Sequence, residues 1–335
     1  MDTITHVIAG AAIGRLGFEN KLGRWGILAG TLVAVFPDVD YISLYFSERL
    51  FLKYHRSFTN SFIFLIPLAL LFALLLSNIT GVRKFRAFFS LACVELLCHT
   101  LLDLMTSSGT MIFYPLSSHR YATDTIYIFD LTVTALFLIP LILSFIYKHH
   151  RARITKTFFL LLVFYLGMCE FYHSKATSLS SSFALVNGIA FQQVAALPQP
   201  YSPFRWANLI ETQDEMYQGF VDFLKKPGDR KTSAPFWSWQ QPGIQYRPPS
   251  RMHYRVWKKI EKSPWIEKAL ELEEVKFFYW LARFPVARSG GEVNGHHLVE
   301  FIDLRFLMIE GVRPFAYQVE MDEHGKVVKE GFKKL

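Results

Sequence analysis

Glu95, His99 and Asp103 recur at i, i+4 and i+8 within one apolar run, so a helix there carries all three on one face. A second set follows a proline, in Pro37-Asp38-Val39-Asp40. An extended Asp-x-Asp after a helix-breaking proline points both carboxylates the same way. His55-Arg56 precede another apolar run, Asp130 opens a further one, and Asp2 and His6 stand at the start of the first. Ionisable groups are costly in a bilayer and mark function there by default. Imidazoles and carboxylates gathered at one level form a ligand set for zinc, manganese or iron. Such a metal lowers the pKa of a water and makes a nucleophile at neutral pH, while a free carboxylate serves as general base. Each residue also has a plainer use. Asp103 and Asp130 can cap helices, and Glu95 and His99 can bond to a neighbouring helix. Asp38 and Asp40 can form a solvated turn, and His55-Arg56 can meet lipid headgroups. Their coincidence argues for a site more strongly than any one of them.

These residues lie in six apolar segments, at 5–17, 25–46, 62–79, 87–105, 128–147 and 158–173. A bilayer core needs about 20 helical residues. The third to fifth segments meet that length, the sixth is slightly short, and the first is too short for a confident span. The acidic start Met1-Asp2-Thr3 lacks the basic region of a signal peptide. Basic residues sit in alternate loops: Lys21 and Arg24; Arg83, Lys84 and Arg86; Lys148, Arg151, Arg153 and Lys156. With those loops in the cytoplasm, six spans alternate and the C-terminal part lies outside. Asp38, Asp40, His55, Asp103, Asp130 and His6 then all fall near the outer face.

Composition agrees with a membrane protein. Of 335 residues, 51% are hydrophobic and only 19% charged, with a net charge of +8 and a mean hydropathy of +0.22. A soluble domain carries about 25% charged residues. Residues 1–175 hold 15 Lys and Arg and 10 Asp and Glu, against 21 and 18 in residues 176–335. The fold expected is therefore an α-helical polytopic membrane domain of five to six helices over 1–175. A soluble α+β domain follows over 176–335, with a linker starting at 178–182. In it, strands are expected at 203–212, 217–224 and 297–308, a helix at 264–284, and a hairpin of 315–321 and 327–331 around Asp322-Glu323-His324-Gly325-Lys326. Cys93, Cys98 and Cys169 lie in apolar runs, without the spacing of a disulfide framework or a thiolate zinc site. Basic residues flanking membrane segments, rather than forming a stripe with aromatics, exclude nucleic-acid binding.

The motifs also resemble a known family. Asp2-Thr3-Ile4-Thr5-His6, Pro37-Asp38-Val39-Asp40, His55-Arg56-Ser57-Phe58-Thr59-Asn60-Ser61, His99-Thr100-Leu101-Leu102-Asp103, Ser108-Gly109-Thr110, Pro115, Arg120 and Ile128-Phe129-Asp130 follow in that order. This succession resembles the YdjM-like family of membrane-bound metal-dependent hydrolases, itself distantly similar to zinc-dependent phospholipase C and P1-type nucleases. Ser202-Pro203-Phe204-Arg205-Trp206, Arg283-Phe284-Pro285 and Asp303-Leu304-Arg305-Phe306 look like the family's C-terminal part. The resemblance implies a metal site of His6, Asp38, Asp40, His55, His99, Asp103 and Asp130 in a bacterial inner membrane. The family's usual run is His-Arg-Gly-x-Thr-His-Ser. Ser57 stands here for the glycine and Asn60 for the second histidine. Asparagine offers a carbonyl oxygen to a hard cation but ligates zinc poorly, so Asn60 joins the ligand set only as a weak member.

Two functions follow as expectations. The first is a hydrolase of a lipid or lipid-linked phosphoester at the outer membrane face, with zinc the first candidate and manganese or iron the alternatives. Its catalytic set is Asp40 and Asp103 with Arg56 and Arg120 as phosphate clamps, guanidinium pairing with phosphate in a bidentate way. The second is a noncatalytic anchor in which polar residues hold helices together or bind a structural metal. A transporter would want its polar groups nearer the midplane, where only Glu95 lies.

Overall fold

A computed structural model describes residues 1–228, 246–293, 295–306 and 315–333. The chain divides into two compact units, Met1–Phe171 and Tyr172–Leu335.

The first unit is helical. Its elements are α1 (Thr3–Ile13), α2 (Glu19–Leu22), α3 (Trp25–Val35), α4 (Glu48–Tyr54), α5 (Phe62–Ile79), α6 (Phe85–Leu104), α7 (Leu131–Ile146) and the first part of α8 (Arg151–Val186), whose residues from Tyr172 on belong to the second unit. A π-helical turn, Gly14–Phe18, joins α1 to α2, and a 3-10 stretch, Phe36–Tyr45, continues α3. Four stretches are long and apolar enough to cross a bilayer: Trp25–Tyr45, Phe62–Ile79, Phe85–Leu104 and Lys148–Val186. The segment expected at 128–147 is shorter than read. Asp130 caps its helix and Tyr147 ends it, leaving 16 residues. The segment expected at 158–173 is longer than read, because α8 runs for 36 residues.

Small residues bring α1 and α3 together. A Cβ on Gly10 would lie 2.6 Å from the Gly30 carbonyl oxygen, and one on Gly30 would lie 2.5 Å from that of Gly10. Without a hydrophobic drive between helices in lipid, such backbone approach is what holds them. Behind them, Val33, Phe72, Phe88, Leu91 and Leu96 form the core shared by α3, α5 and α6.

The second unit holds two four-stranded antiparallel meanders. The first comprises β1 (Gln193–Gln199), β2 (Ser202–Glu211), β3 (Glu215–Asp222) and β4 (Tyr254–Lys258); the second, β5 (Pro285–Val293), β6 (His296–Asp303), β7 (Ala316–Met321) and β8 (Val327–Phe332). Helices α9 (Pro264–Leu270) and α10 (Glu273–Leu281) lie between them in sequence. Leu197, Leu209 and Trp257 of the first sheet pack with Phe284, Val286 and Ile302 beside and in the second. The α+β reading therefore stands, with differences. The helix expected at 264–284 is two, because Leu272 is extended (φ −70°, ψ 138°) and packs inward. The strand expected at 297–308 ends at Asp303, and its last two positions lie outside the described residues. The serines at 178–182 are part of α8 and no linker, because Ser180 is buried and accepts from Asn208 Nδ2 at 2.6 Å.

Candidate metal centre

Asp2 accepts the Thr5 N–H at 3.0 Å and starts α1, which sets His6 on the helix's buried face. Helix α6 carries His99 and Asp103 one turn apart, both buried. After α3, Pro37 sits in the first turn of the 3-10 stretch. At three residues per turn, positions two apart point in different directions. Asp38 turns inward, where Thr3 Oγ1 donates to it at 2.6 Å. Asp40 instead meets His55, whose Nδ1 lies 3.0 and 3.1 Å from its two oxygens. The expectation that both carboxylates point the same way fails for this reason.

His6, Asp38 and His99 thus converge. Their candidate ligand atoms lie within 4.8 Å of one another and all three side chains are buried. The two imidazoles stack with centroids 3.7 Å apart. His99 Nδ1 lies 2.7 Å from the Ala34 carbonyl oxygen, an acceptor only, so Nδ1 carries the proton in the neutral ring. Its Nε2 then offers a lone pair. That atom lies 3.7 Å from Asp38 Oδ1 and 3.3 Å from Asp103 Oδ2, with no hydrogen-bond partner among the described residues. A buried lone pair facing two carboxylates calls for a cation between them. Donation of the other ring nitrogen to a backbone carbonyl is also how metal-ligating histidines are oriented. The donor set therefore fits a divalent metal.

Asp103 is the hub beside this group. It pairs with Arg56 at 3.0 Å and with the Met1 ammonium, lies 3.3 Å from His6 Nε2, and accepts from Asn60 Nδ2 at 2.7 Å. Burial lowers the Met1 amine from its ordinary 8.0 to about 6, with Arg56 adding to the shift and Asp103 opposing it. Arg56 adopts φ +59°, an uncommon conformation for a residue with a side chain. It is held there at both ends. Its N–H donates to Asp40 at 3.1 Å and its guanidinium donates to Thr106 Oγ1 at 2.8 Å.

The structure thus separates the expected ligands. Three come together, Asp103 lies against both imidazoles, and Asp40 and His55 pair with each other. Asn60 presents its amide N–H₂, not its carbonyl, to Asp103. Asp130 accepts the Thr132 and Val133 N–H groups and the Tyr165 hydroxyl at 2.7 Å, capping α7. Of the expected phosphate clamps, Arg56 is buried on Asp103, and Arg120 donates to the His55 and Leu52 carbonyl oxygens at 3.1 and 2.8 Å. Gly109 makes room for Arg120: its φ is +82° and a Cβ there would lie 2.9 Å from Arg120 Cβ. Glu95 lies deeper on α6, buried, with both oxygens lacking a partner among the described residues. Thr3, Thr106 and the Ala34 carbonyl are the contributors that sequence reasoning missed. Thr3 alone carried a signal, since it directly follows the helix-capping Asp2.

The family described as YdjM inner membrane protein matches residues 1–176. The chain belongs to this family. No curated protein and no solved structure matches it. The family match covers every residue of the centre, and together with the apolar helices it supports a membrane protein of an inner-membrane family.

Proposed function

We propose that this YdjM-family protein is a metal-dependent hydrolase acting on a phosphoester of a lipid or lipid-linked molecule at the outer face of the membrane. The observation that carries the reading is His99 Nε2, fixed as a lone-pair donor by Ala34 and facing carboxylates without a partner. His6, Asp38 and His99 would hold the ion, zinc first, since two imidazoles and a carboxylate suit it. A divalent ion bound there lowers the pKa of a water and polarises a phosphoryl oxygen. The chain's own residues supply orientation. Thr3 aims Asp38, and Ala34 holds a proton on His99 Nδ1. Arg56 balances the charge of Asp103, and Asp40 holds a proton on His55 Nδ1. Loop charges support a C-terminal domain outside the membrane, which an outward-active reporter fused after Leu335 would test.

Asn60 favours a second reading. Its N–H₂ closes off one oxygen of Asp103, as in a structural ion-pair network, and a metal there would brace helices without catalysis. Elemental mass spectrometry of detergent-purified protein tests the centre. About one zinc per chain is expected in wild type and almost none in folded His99→Ala. Metal-free wild type after zinc and manganese reconstitution would sink the hydrolase and leave a noncatalytic anchor held by its ion-pair network. A stoichiometric metal with no cleavage of bis(p-nitrophenyl) phosphate or phosphatidylglycerol would leave the structural one.

A further inference from the structure

A cavity lies in the helical unit beside the end of α1, away from the metal centre. Its volume is about 260 Å³, and it opens between the end of α1, the π-helical turn, α7 and α8. Along the chain from the metal centre, Leu16 lies ten residues beyond His6, about 15 Å at the rise of a helix. Leu16, Val94, Leu136, Phe158 and Leu162 form its walls, and Thr155 supplies the one hydroxyl. Phe159, also lining it, is 62% exposed, so the cavity is a groove open on the lipid-facing side of α8.

Charge gathers one turn away. Arg151 begins α8, and the Thr155 hydroxyl donates to its carbonyl at 2.9 Å. Glu19 takes Arg151 at 2.6 Å and also takes Arg15, so one carboxylate serves two guanidiniums and a positive charge is left over. Arg15 is committed further, to the Ser144 hydroxyl and carbonyl at 3.3 Å each. The Arg151 side chain is 24% exposed, so part of its guanidinium stays open to a ligand. Lys148, Arg153 and Lys156 add cations to the same stretch. A hydrocarbon-lined groove with an under-neutralised arginine one helical turn from its Thr155 wall matches one kind of molecule: an acyl chain joined to an anionic phosphodiester. Guanidinium is suited to the phosphate by its planar fork of donors.

We infer that this groove holds one acyl chain of an anionic phospholipid, with its phosphate on Arg151. The site is separate from the metal centre and does not rest on its chemistry. The test is native mass spectrometry of the full chain, delipidated in detergent, with dioleoyl phosphatidylglycerol or dioleoyl phosphatidylcholine added singly. Oleate alone and inorganic phosphate alone are the controls. One phosphatidylglycerol per chain is expected, retained about tenfold more strongly than phosphatidylcholine, as one charged contact provides. Leu136→Trp fills the groove and removes the adduct. Val94→Phe narrows it from α6 and stands in if that variant does not fold. Arg151→Gln lowers phosphatidylglycerol to the phosphatidylcholine level while the chain still binds. Equal retention of the two lipids by wild type overturns the inference. So does an adduct that survives filling of the groove, or inorganic phosphate binding as tightly as the lipid.

Discussion

Asp103 in the helical unit and Asp303 in the sheet-rich unit are both wholly buried, and each faces an arginine. Asp303 is satisfied locally. Arg305 Nε meets it at 2.7 Å, and the N–H groups of Arg283, Phe284 and Arg305 donate to it at 3.1, 3.4 and 3.0 Å. Those donors join the chain entering β5 to the chain leaving β6, closing a structural corner. Asp103 draws its partners from Met1, His6, Arg56 and Asn60, all distant in sequence. Even so, the atom beside it, His99 Nε2, stays unmet. Burial and an arginine are therefore common to both corners. An unmet lone pair belongs to one, and it separates a candidate centre from a structural ion pair.

The strongest way to break this contrast is Asp303→Ala. It leaves the Arg305 guanidinium buried without its carboxylate, which costs about 3–5 kcal/mol. Six of the seven tryptophans lie beyond residue 171. Urea unfolding of the full chain in detergent, followed by their fluorescence, should show the loss with metal content unchanged. A shift under about 1 kcal/mol would mean that the corner is not what holds β5 to β6.

Asp103→Asn sharpens the other side. The amide keeps an acceptor for Arg56 but loses the charge beside His6 and His99. Metal affinity should fall about 10–100-fold, as when an outer partner of a ligating histidine is removed. Competition with a zinc chelator reads this directly. Unchanged affinity with a large fall in thermal stability would make Asp103 a second Asp303 and remove it from the centre.

How much of this was legible depended on which regularity each residue obeyed. The face carrying Glu95, His99 and Asp103 could be read because α6 keeps the helical period through a run of 20 residues. Strand β3 was legible because buried and half-buried positions largely alternate. Strand β1 was not: its last five residues are all buried, which gives an apolar run without alternation. Strand β5 hid behind Gly290-Gly291, where the register shifts between Ser289 and Gly291. At the centre, the split of Asp38 from Asp40 was invisible because it follows from 3-10 winding after Pro37, where an extended turn was expected. The role of Asn60 was equally hidden. Sequence shows an amide, and only its neighbours decide whether its oxygen or its nitrogen faces the site.

Asp130 offers the smallest and most discriminating test, because it is a third buried carboxylate and belongs to neither corner. It caps α7 and accepts from Tyr165, while the resemblance to the family implies a metal ligand at this position. Asparagine caps helices as well as aspartate does, and its NH2, in the place of the second oxygen, donates to the Tyr165 hydroxyl oxygen. Asp130→Asn should therefore change stability by under about 0.5 kcal/mol, whereas Asp130→Ala loses the cap at about 1 kcal/mol. Both should keep the metal of wild type. Thermal unfolding and elemental mass spectrometry on the same samples separate the two roles. Loss of metal in Asp130→Asn with an unchanged melting temperature would show that Asp130 ligates when the ion is bound, and that the ligand set extends beyond His6, Asp38 and His99.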